Sequence, residues 1–103
     1  MRLAHYPEEK LKSEVKRIVG KHLNLDEYEL FFFGSRVTGK GDERSDIDIG
    51  IRGKNKIPTE LMWKIKDDIN SKIHTLYSID IIDFSATGEN FRQVAEQRIE
   101  KFQ

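Results

Sequence analysis

The chain has 103 residues, the length of one domain, and a chain of this size buries roughly 65% of its unfolded surface on folding. It carries 18 Lys and Arg residues against 18 Asp and Glu residues, so its formal net charge is zero and no basic excess indicates nucleic-acid binding. The absence of cysteine excludes disulfides, thiolate zinc sites and cysteine nucleophiles. We expect a single domain over residues 1–103, which must take any large substrate from another chain.

Nothing in the hydropathy of the sequence indicates a membrane protein. No apolar run approaches the roughly 18 residues that a membrane span needs. The N-terminal stretch MRLAHYPEEK lacks the apolar core of a signal peptide. We therefore expect a cytoplasmic protein without a membrane partner.

The first predicted element is a helix over residues 7–23, in which Pro7 suits the first turn. Tyr28–Phe33 is rich in aromatic residues and is followed by Gly34, which indicates a strand that is buried on both faces. Residues 46–52 alternate between polar and apolar residues and therefore predict the second strand.

A second helix is predicted over residues 58–74, with Thr59 as its N-cap and Trp63 interpreted first as a packing residue and second as a partner contact. Residues 77–84 predict a third strand, and a last helix follows Gly88. The order α-β-β-α-β-α predicts an α/β (α+β) fold with a small mixed sheet and flanking helices. The residues expected to face the core from the three helices are Leu11, Val15, Ile18, Val19 and Leu23, then Met62, Ile65, Ile69 and Ile73, then Phe91, Val94, Ala95, Ile99 and Phe102.

The segment GSRVTGKG, residues 34–41, nearly matches the phosphate-binding P-loop pattern. The match fails at Gly41, which stands where that pattern needs a metal-binding Ser or Thr. It fails again because the following residues turn into a strand instead of the helix whose N-terminus would hold the phosphates. The segment therefore does not predict a P-loop nucleotidase.

Two aspartates lie within the second predicted strand. Residues two apart in a strand point to the same face with Cα atoms about 6.6 Å apart, so Asp46 and Asp48 project together. Ile47, Ile49 and Ile51 then enter the core from the other face. Carboxylates this close repel each other unless a cation lies between them, and hard oxygen ligands favour magnesium.

The residues just upstream suit a phosphate. Gly34 allows the backbone to approach a phosphate closely, and Ser35 adds a hydroxyl donor at the end of a strand. Arg36 and Lys40 are candidate donors to triphosphate oxygens, although solvated loop charges explain them equally well.

Gly34-Ser35, ten intervening residues, Asp46-Ile47-Asp48 and a later strand with a third acidic residue together resemble the polymerase-beta-type nucleotidyltransferase superfamily. The form FGSRVTGKGDERSDIDIGI is most similar to its minimal, stand-alone branch, the MNT proteins. Strand alternation puts Asp80 and Asp83 on opposite faces, so only one of them can join the site. The family pattern favours Asp80, with Asp83 as the alternative.

The resemblance implies that Asp46, Asp48 and Asp80 hold two Mg²⁺ ions and that Asp80 helps to deprotonate the acceptor. The implied reaction transfers a nucleoside monophosphate, most simply AMP from ATP, to a hydroxyl of an acceptor. The resemblance also implies a HEPN-type helical protein as acceptor in a toxin-antitoxin pair, within a homo- or hetero-oligomer. The alternative function is a non-catalytic nucleotide-binding subunit that neutralises or scaffolds a helical partner by contact.

Overall fold

The computed structural model describes residues 3, 6–34, 37, 46–85, 93 and 98–103. The described helices and strands are, in chain order, α1 (Glu8–Gly20), β1 (Tyr28–Phe33), β2 (Ile47–Gly53), α2 (Thr59–Lys72), β3 (Ile79–Asp83) and β4 (Glu100–Lys101). Neither of the two helices has the length and apolar composition that a membrane crossing requires.

The described strands form one four-stranded sheet in the order β3-β2-β1-β4. β1 pairs with β2 and with β4 in the antiparallel sense, whereas β2 pairs with β3 in the parallel sense. The prediction of a mixed sheet with flanking helices is therefore confirmed. Because β3 lies at one edge of the sheet, only one of its sides is paired with another described strand.

Both helices bury the apolar stripes that their sequences predict. In α1 these are Leu11, Val15, Ile18 and Val19, and in α2 they are Met62, Ile65 and Ile69, with Ile73 buried just beyond the helix end. The expected N-cap of α2 is wrong by one position. Pro58 occupies it and no side chain caps the helix, because Thr59 already has helical geometry as the first residue of α2.

The sheet contributes its own share of the core. Ile47, Ile49 and Ile51 are all fully buried, as their alternation with the aspartates predicts. In β1 the central residues Leu30, Phe31 and Phe32 are also fully buried, although consecutive residues point to opposite faces. The centre of β1 is therefore covered on both sides, which confirms the expectation drawn from its aromatic run.

The C-terminal end of the described chain differs from the prediction. Ile99 and Phe102 are not helical: they flank β4, and the Phe102 ring stacks on Phe32 with centroids 4.5 Å apart. The Leu30 carbonyl accepts hydrogen bonds from the amides of Phe102 at 2.9 Å and Gln103 at 3.2 Å. These sheet contacts outweigh the weak local preference for a helix. The predicted positions Phe91, Val94 and Ala95 lie outside the described residues.

Trp63 also departs from its first interpretation. Its side chain is 71% exposed, so it does not pack in the core beside Met62. The helix explains this difference, because residues 62 and 63 are about 100° apart around its axis and only Met62 falls on the buried stripe.

Candidate active site

The candidate site lies at the end of the sheet where β1 ends and β2 begins. Phe33, the last residue of β1, is the antiparallel partner of Asp48 in β2. Gly34 follows directly, and Asp46 is exposed one residue before β2 begins. The phosphate-binding and carboxylate parts of the motif, twelve positions apart in the sequence, thus lie at the same end of the β1–β2 pair.

Gly34 has a φ of 85°, a left-handed conformation that glycine adopts without strain and other residues rarely do. Its carbonyl accepts a hydrogen bond of 3.1 Å from the Val37 amide as the chain turns away from β1. A Cβ atom at this position would collide with Oδ2 of Asp48 and would lie 3.2 Å from its Cγ. Glycine is therefore required here both by the backbone and by the neighbouring carboxylate.

The third candidate carboxylate reaches the site through the pairing of β2 with β3. Asp48 and Asp80 are direct partners in this parallel pair. Neighbouring strands lie about 4.8 Å apart, and paired residues point to the same face of the sheet. Asp80 is exposed, whereas Asp48 is half-buried. The fold thus places the carboxylate of Asp80, on the edge strand β3, next to that of Asp48 on the inner strand β2.

The electrostatics of the site centre on Asp48. Burial raises the pKa of its carboxyl above the usual 3.8, and the negative charges of Asp80 and Asp46 raise it further. The charges of Asp80 and Asp46 are thus both close enough to act on the Asp48 carboxyl. A cation among them would oppose the rise in pKa, since it favours the ionised form.

The donors in the site suit a hard divalent cation. All three side chains offer carboxylate oxygens, and magnesium takes such ligands while keeping several waters and substrate phosphates. Among the residues that the structure describes, however, no three His, Cys, Asp or Glu side chains lie close enough to form a ready cluster for a metal ion. Asp46, Asp48 and Asp80 thus share one end of the sheet without forming a closed cage.

Asp83 has a different environment from Asp80. Its Oδ2 accepts a hydrogen bond of 2.8 Å from the Ile57 amide, and its Oδ1 accepts one of 2.8 Å from the Ser85 amide. In the register it is opposite Ile51, three residues farther along β3 than Asp80. Asp83 therefore fastens the loop before α2 to the end of β3, which makes Asp80 the better candidate for the site.

Gly50 supports the same face of the sheet and was not singled out by the sequence analysis. It is the partner of Phe31, and a Cβ atom at Gly50 would overlap the Phe31 ring. That ring packs against Phe33 and Phe84 at centroid distances of 6.0 and 5.8 Å. A glycine inside an otherwise regular strand pattern is the signal for such a close approach.

Three of the predicted site residues are not placed by the structure. Ser35, Arg36 and Lys40 lie outside the described residues, so their roles remain predictions. A cavity of about 650 Å³ occurs at the opposite end of the sheet, lined by residues that include Tyr28, Arg52 and Lys101. None of the candidate carboxylates lines it.

The chain is similar to known proteins both in sequence and in fold. Residues 13–100 match the protein family described as polymerase beta, nucleotidyltransferase. The chain is 30% identical over 86 residues to the probable protein adenylyltransferase MntA of Haemophilus influenzae, a span that covers 82% of this chain and 75% of the relative.

Two solved structures share the fold. A toxin-antitoxin complex with AMP-PNP superposes with a TM-score of 0.67 at 16% identity, over 87% of this chain and 70% of the other. A tri-AMPylated HEPN toxin of Shewanella oneidensis in complex with its MNT antitoxin gives a TM-score of 0.66 at 18% identity, over 92% and 71% of the two chains. The chain belongs to the polymerase beta nucleotidyltransferase family and is a nucleotidyltransferase of its minimal, MNT type.

Proposed function

We propose that the chain is a Mg²⁺-dependent adenylyltransferase that moves AMP from ATP to a hydroxyl group of a protein acceptor. The acceptor is a HEPN-type helical protein in a toxin-antitoxin pair in the cytoplasm, and the chain acts as the antitoxin. The observation that carries this proposal is the pairing of Asp48 with Asp80, beside Gly34 and Asp46. The relative named as a probable protein adenylyltransferase supports the transfer of AMP to a protein. The toxin-antitoxin complex with AMP-PNP and the complex of an AMPylated HEPN toxin with its MNT antitoxin support the nucleotide and the partner.

Each described residue of the candidate site has a role in this proposal. Asp46 and Asp48 would hold magnesium on the side of the nucleotide, and Asp80 would be a ligand of the second ion. When bound, the ions neutralise charge on the attacking and leaving oxygens. Gly34 keeps the backbone near the phosphates free of a side chain, as its close approach to Asp48 requires.

The reaction balances without a further reactant. The acceptor oxygen forms a bond to the α-phosphorus of ATP, the bond from that phosphorus to the bridging oxygen breaks, and pyrophosphate leaves. Asp80 accepts the hydroxyl proton, which its exposed position at the sheet edge allows. Ser35, Arg36 and Lys40 complete the proposal as donors to the phosphate oxygens.

A second candidate function is a non-catalytic subunit that binds nucleotide and neutralises its helical partner by contact. One observation favours it: the described carboxylates do not form a ready metal cluster. The adenylyltransferase explains more, because a binding subunit has no need for three mutually repelling carboxylates that raise the pKa of Asp48.

The two functions are separated by label transfer from ATP to a purified HEPN-type protein of the source cell in magnesium buffer. Parallel reactions use α-labelled and γ-labelled ATP, with Asp48→Asn as the test variant and the exposed helix residue Asp67→Asn as its matched control. We expect label from the α-position only, reduced about 100-fold or more by Asp48→Asn and unchanged by Asp67→Asn. Label from the γ-position, or neutralisation of the partner without any transfer, contradicts the proposal.

A further inference from the structure

Ser78 lies directly before β3, at the end of the sheet that carries the candidate site. Its carbonyl accepts a hydrogen bond of 2.8 Å from the Ile47 amide, which belongs to the parallel ladder of β2 and β3. Ile47 is registered opposite Ile79. The residues one position earlier, Asp46 and Ser78, therefore lie opposite each other at the start of this ladder.

Ser78 shares a face of the sheet with the candidate carboxylates. Residues two apart along a strand point to the same face, as Ser78 and Asp80 do. Burial agrees with this alternation, because both of them are exposed whereas Tyr77 between the helix and Ser78 is buried. Asp46 and Asp48 are related in the same way on the neighbouring strand, and Asp48 is the partner of Asp80. All four side chains thus project from one face.

The four residues occupy the corners of a rectangle. Neighbouring strands lie about 4.8 Å apart, and residues two apart along a strand are separated by about 6.6 Å. Three corners of the rectangle are the candidate carboxylates, and the fourth corner is Ser78. The Ser78 hydroxyl is therefore the oxygen donor that completes the set around the centre of the rectangle.

The Ser78 hydroxyl is available for such a role. It takes part in none of the hydrogen bonds that join two described residues. Two other serines are engaged: the Ser85 hydroxyl accepts a hydrogen bond of 2.9 Å from the Gly53 amide, and the Ser71 hydroxyl donates one to the Asp67 carbonyl. Within the described part of the chain, the exposed Ser78 hydroxyl thus has no competing partner.

A serine hydroxyl suits an indirect contact with a cation that carboxylates hold. Its oxygen is one bond closer to the backbone than a carboxylate oxygen of aspartate, so the carboxylates reach a shared cation first. Magnesium keeps several waters, and a water bound at about 2.1 Å that donates a hydrogen bond of about 2.8 Å spans up to about 5 Å. The hydroxyl oxygen has two lone pairs with which to accept that hydrogen bond.

We propose that Ser78 is a positioning residue of the candidate site, whose hydroxyl accepts a hydrogen bond from a water of the Mg²⁺ ion nearest Asp80. The inference rests on the proposed function for the presence of magnesium. Ser78 and Asp80 lie on the β3 side of β2, whereas Gly34 follows β1 on the other side. The Ser78 hydroxyl therefore acts beside the residue that accepts the proton of the acceptor, and not at the phosphate-binding turn.

The test measures metal binding without nucleotide and without an acceptor protein. Mn²⁺ takes the same carboxylate and water ligands as Mg²⁺, and its free concentration is followed by its EPR signal. Mn²⁺ alone is titrated into the metal-free chain. Dissociation constants are compared for the wild type, Ser78→Ala, Ser78→Thr and the control Ser71→Ala, which alters an exposed serine of α2. Urea unfolding of the same proteins without metal reports on the fold.

We expect Ser78→Ala to raise the dissociation constant for Mn²⁺ about 10-fold, as the loss of a group that orients a metal ligand does. Ser78→Thr keeps a hydroxyl and should stay within about threefold of the wild type, and Ser71→Ala within about twofold. All variants should unfold at the wild-type urea concentration in metal-free buffer, since both serines are exposed.

Three results would overturn the inference: an Mn²⁺ affinity that Ser78→Ala leaves unchanged, a Ser78→Thr protein that binds as weakly as Ser78→Ala, or a wild type that binds no Mn²⁺. Transfer of label from ATP to the HEPN-type protein, together with any of these results, would leave the adenylyltransferase proposal standing. Mn²⁺ binding that depends on Ser78, without any label transfer, would contradict the proposed function alone.

Discussion

Asp48 of β2 and Asp80 of β3 are direct partners in the only parallel strand pair of the described sheet. Two like charges on adjacent strands destabilise a fold unless something compensates them. The protein also buries part of Asp48, which further disfavours its ionised form. This pair therefore links the stability of the chain to its proposed chemistry.

Asp48→Asn should raise the melting temperature of the metal-free protein at neutral pH. The raised pKa of Asp48 means that the folded state binds its proton more tightly than the unfolded state, whose value is near 3.8. Stability from this group is therefore fully present below pH 3.8 and is lost as the pH rises through the folded pKa. A gain of about 1 kcal/mol would raise the Tm of a domain of this size by about 4–8 °C.

Thermal unfolding at several pH values, with and without Mg²⁺, checks this prediction. Magnesium should stabilise the wild type and have little effect on Asp48→Asn, and its effect should weaken as the pH falls because protons compete for the carboxylate. A variant that melts below the wild type in metal-free buffer at neutral pH would show that the Asp48 charge is favourable in the fold.

The two acidic residues of β3 should differ in what their loss affects. Asp83→Ala leaves the Ile57 and Ser85 amides without their acceptor and should lower the free energy of unfolding by about 1–3 kcal/mol. Asp80→Asn removes an exposed charge and should leave stability within about 0.5 kcal/mol of the wild type while it abolishes AMP transfer.

Urea unfolding and transfer rates of these two variants, measured below their melting temperatures, separate the roles. A folded Asp83→Ala protein without transfer activity, together with a fully active Asp80→Asn protein, would exchange the assignments of the two residues.

Gly50→Ala should be destabilising because the new methyl group would overlap the Phe31 ring. The ring is fully buried and packs against Phe33 and Phe84, so it has little room to move. Overpacking of this kind costs about 1–3 kcal/mol. Gly20→Ala, at the end of α1, is the control: its Cβ would meet Leu25 at an ordinary 3.4 Å, and the change should be neutral or stabilising. Equal stabilities of the two variants in urea unfolding would contradict the packing argument.

His22 and Asp68 connect the end of α1 to α2 through a contact of 2.6 Å between Nε2 and Oδ2. The hydrogen bond from His22 is the main reason that the pKa of Asp68 is lowered in the folded protein. A lowered pKa contributes stability that is present above the unfolded value of 3.8 and is lost as the pH falls through the folded value.

The difference in unfolding free energy between the wild type and His22→Ala should therefore shrink as the pH falls below about 4. Urea unfolding at neutral and acid pH measures it, with Asp67→Asn as a control on the same helix. A difference that stays constant over this range would exclude Asp68 as the titrating partner.

Local patterns predicted the parts of the site that depend on neighbouring residues. The bounds of β1 follow from its aromatic run and the glycine after it, and the burial of Ile47, Ile49 and Ile51 follows from alternation. The placement of Asp48 beside Gly34 depends on the pairing of β1 with β2. The choice between Asp80 and Asp83 came from the family resemblance, because alternation states only that the two face opposite sides. The hydrogen bonds to Asp83 depend on a loop far away in the sequence, so no local pattern contains them.

The C-terminal strand and Trp63 show the other limit. Residues 98–103 continue an apolar spacing that suits a helix, but the open edge of β1 and the Phe32 ring offer stronger contacts than that local preference. For Trp63 the residue type favoured burial, whereas its angular position on α2 exposes it. The C-terminal strand is set by tertiary contacts, to which a single sequence gives only indirect access. The exposure of Trp63 instead follows from the spacing of the buried stripe Met62, Ile65 and Ile69.

A double-mutant cycle on the rate of AMP transfer tests most directly whether Asp48 and Asp80 form one site across the parallel strand pair. Transfer is measured for the wild type, Asp48→Asn, Asp80→Asn and the double variant, with Asp67→Asn as the control. Residues that act as a unit are strongly non-additive, so we predict that the double variant loses no more activity than the more damaged single variant. Losses that multiply, or an Asp80→Asn protein as active as the wild type, would contradict a shared site.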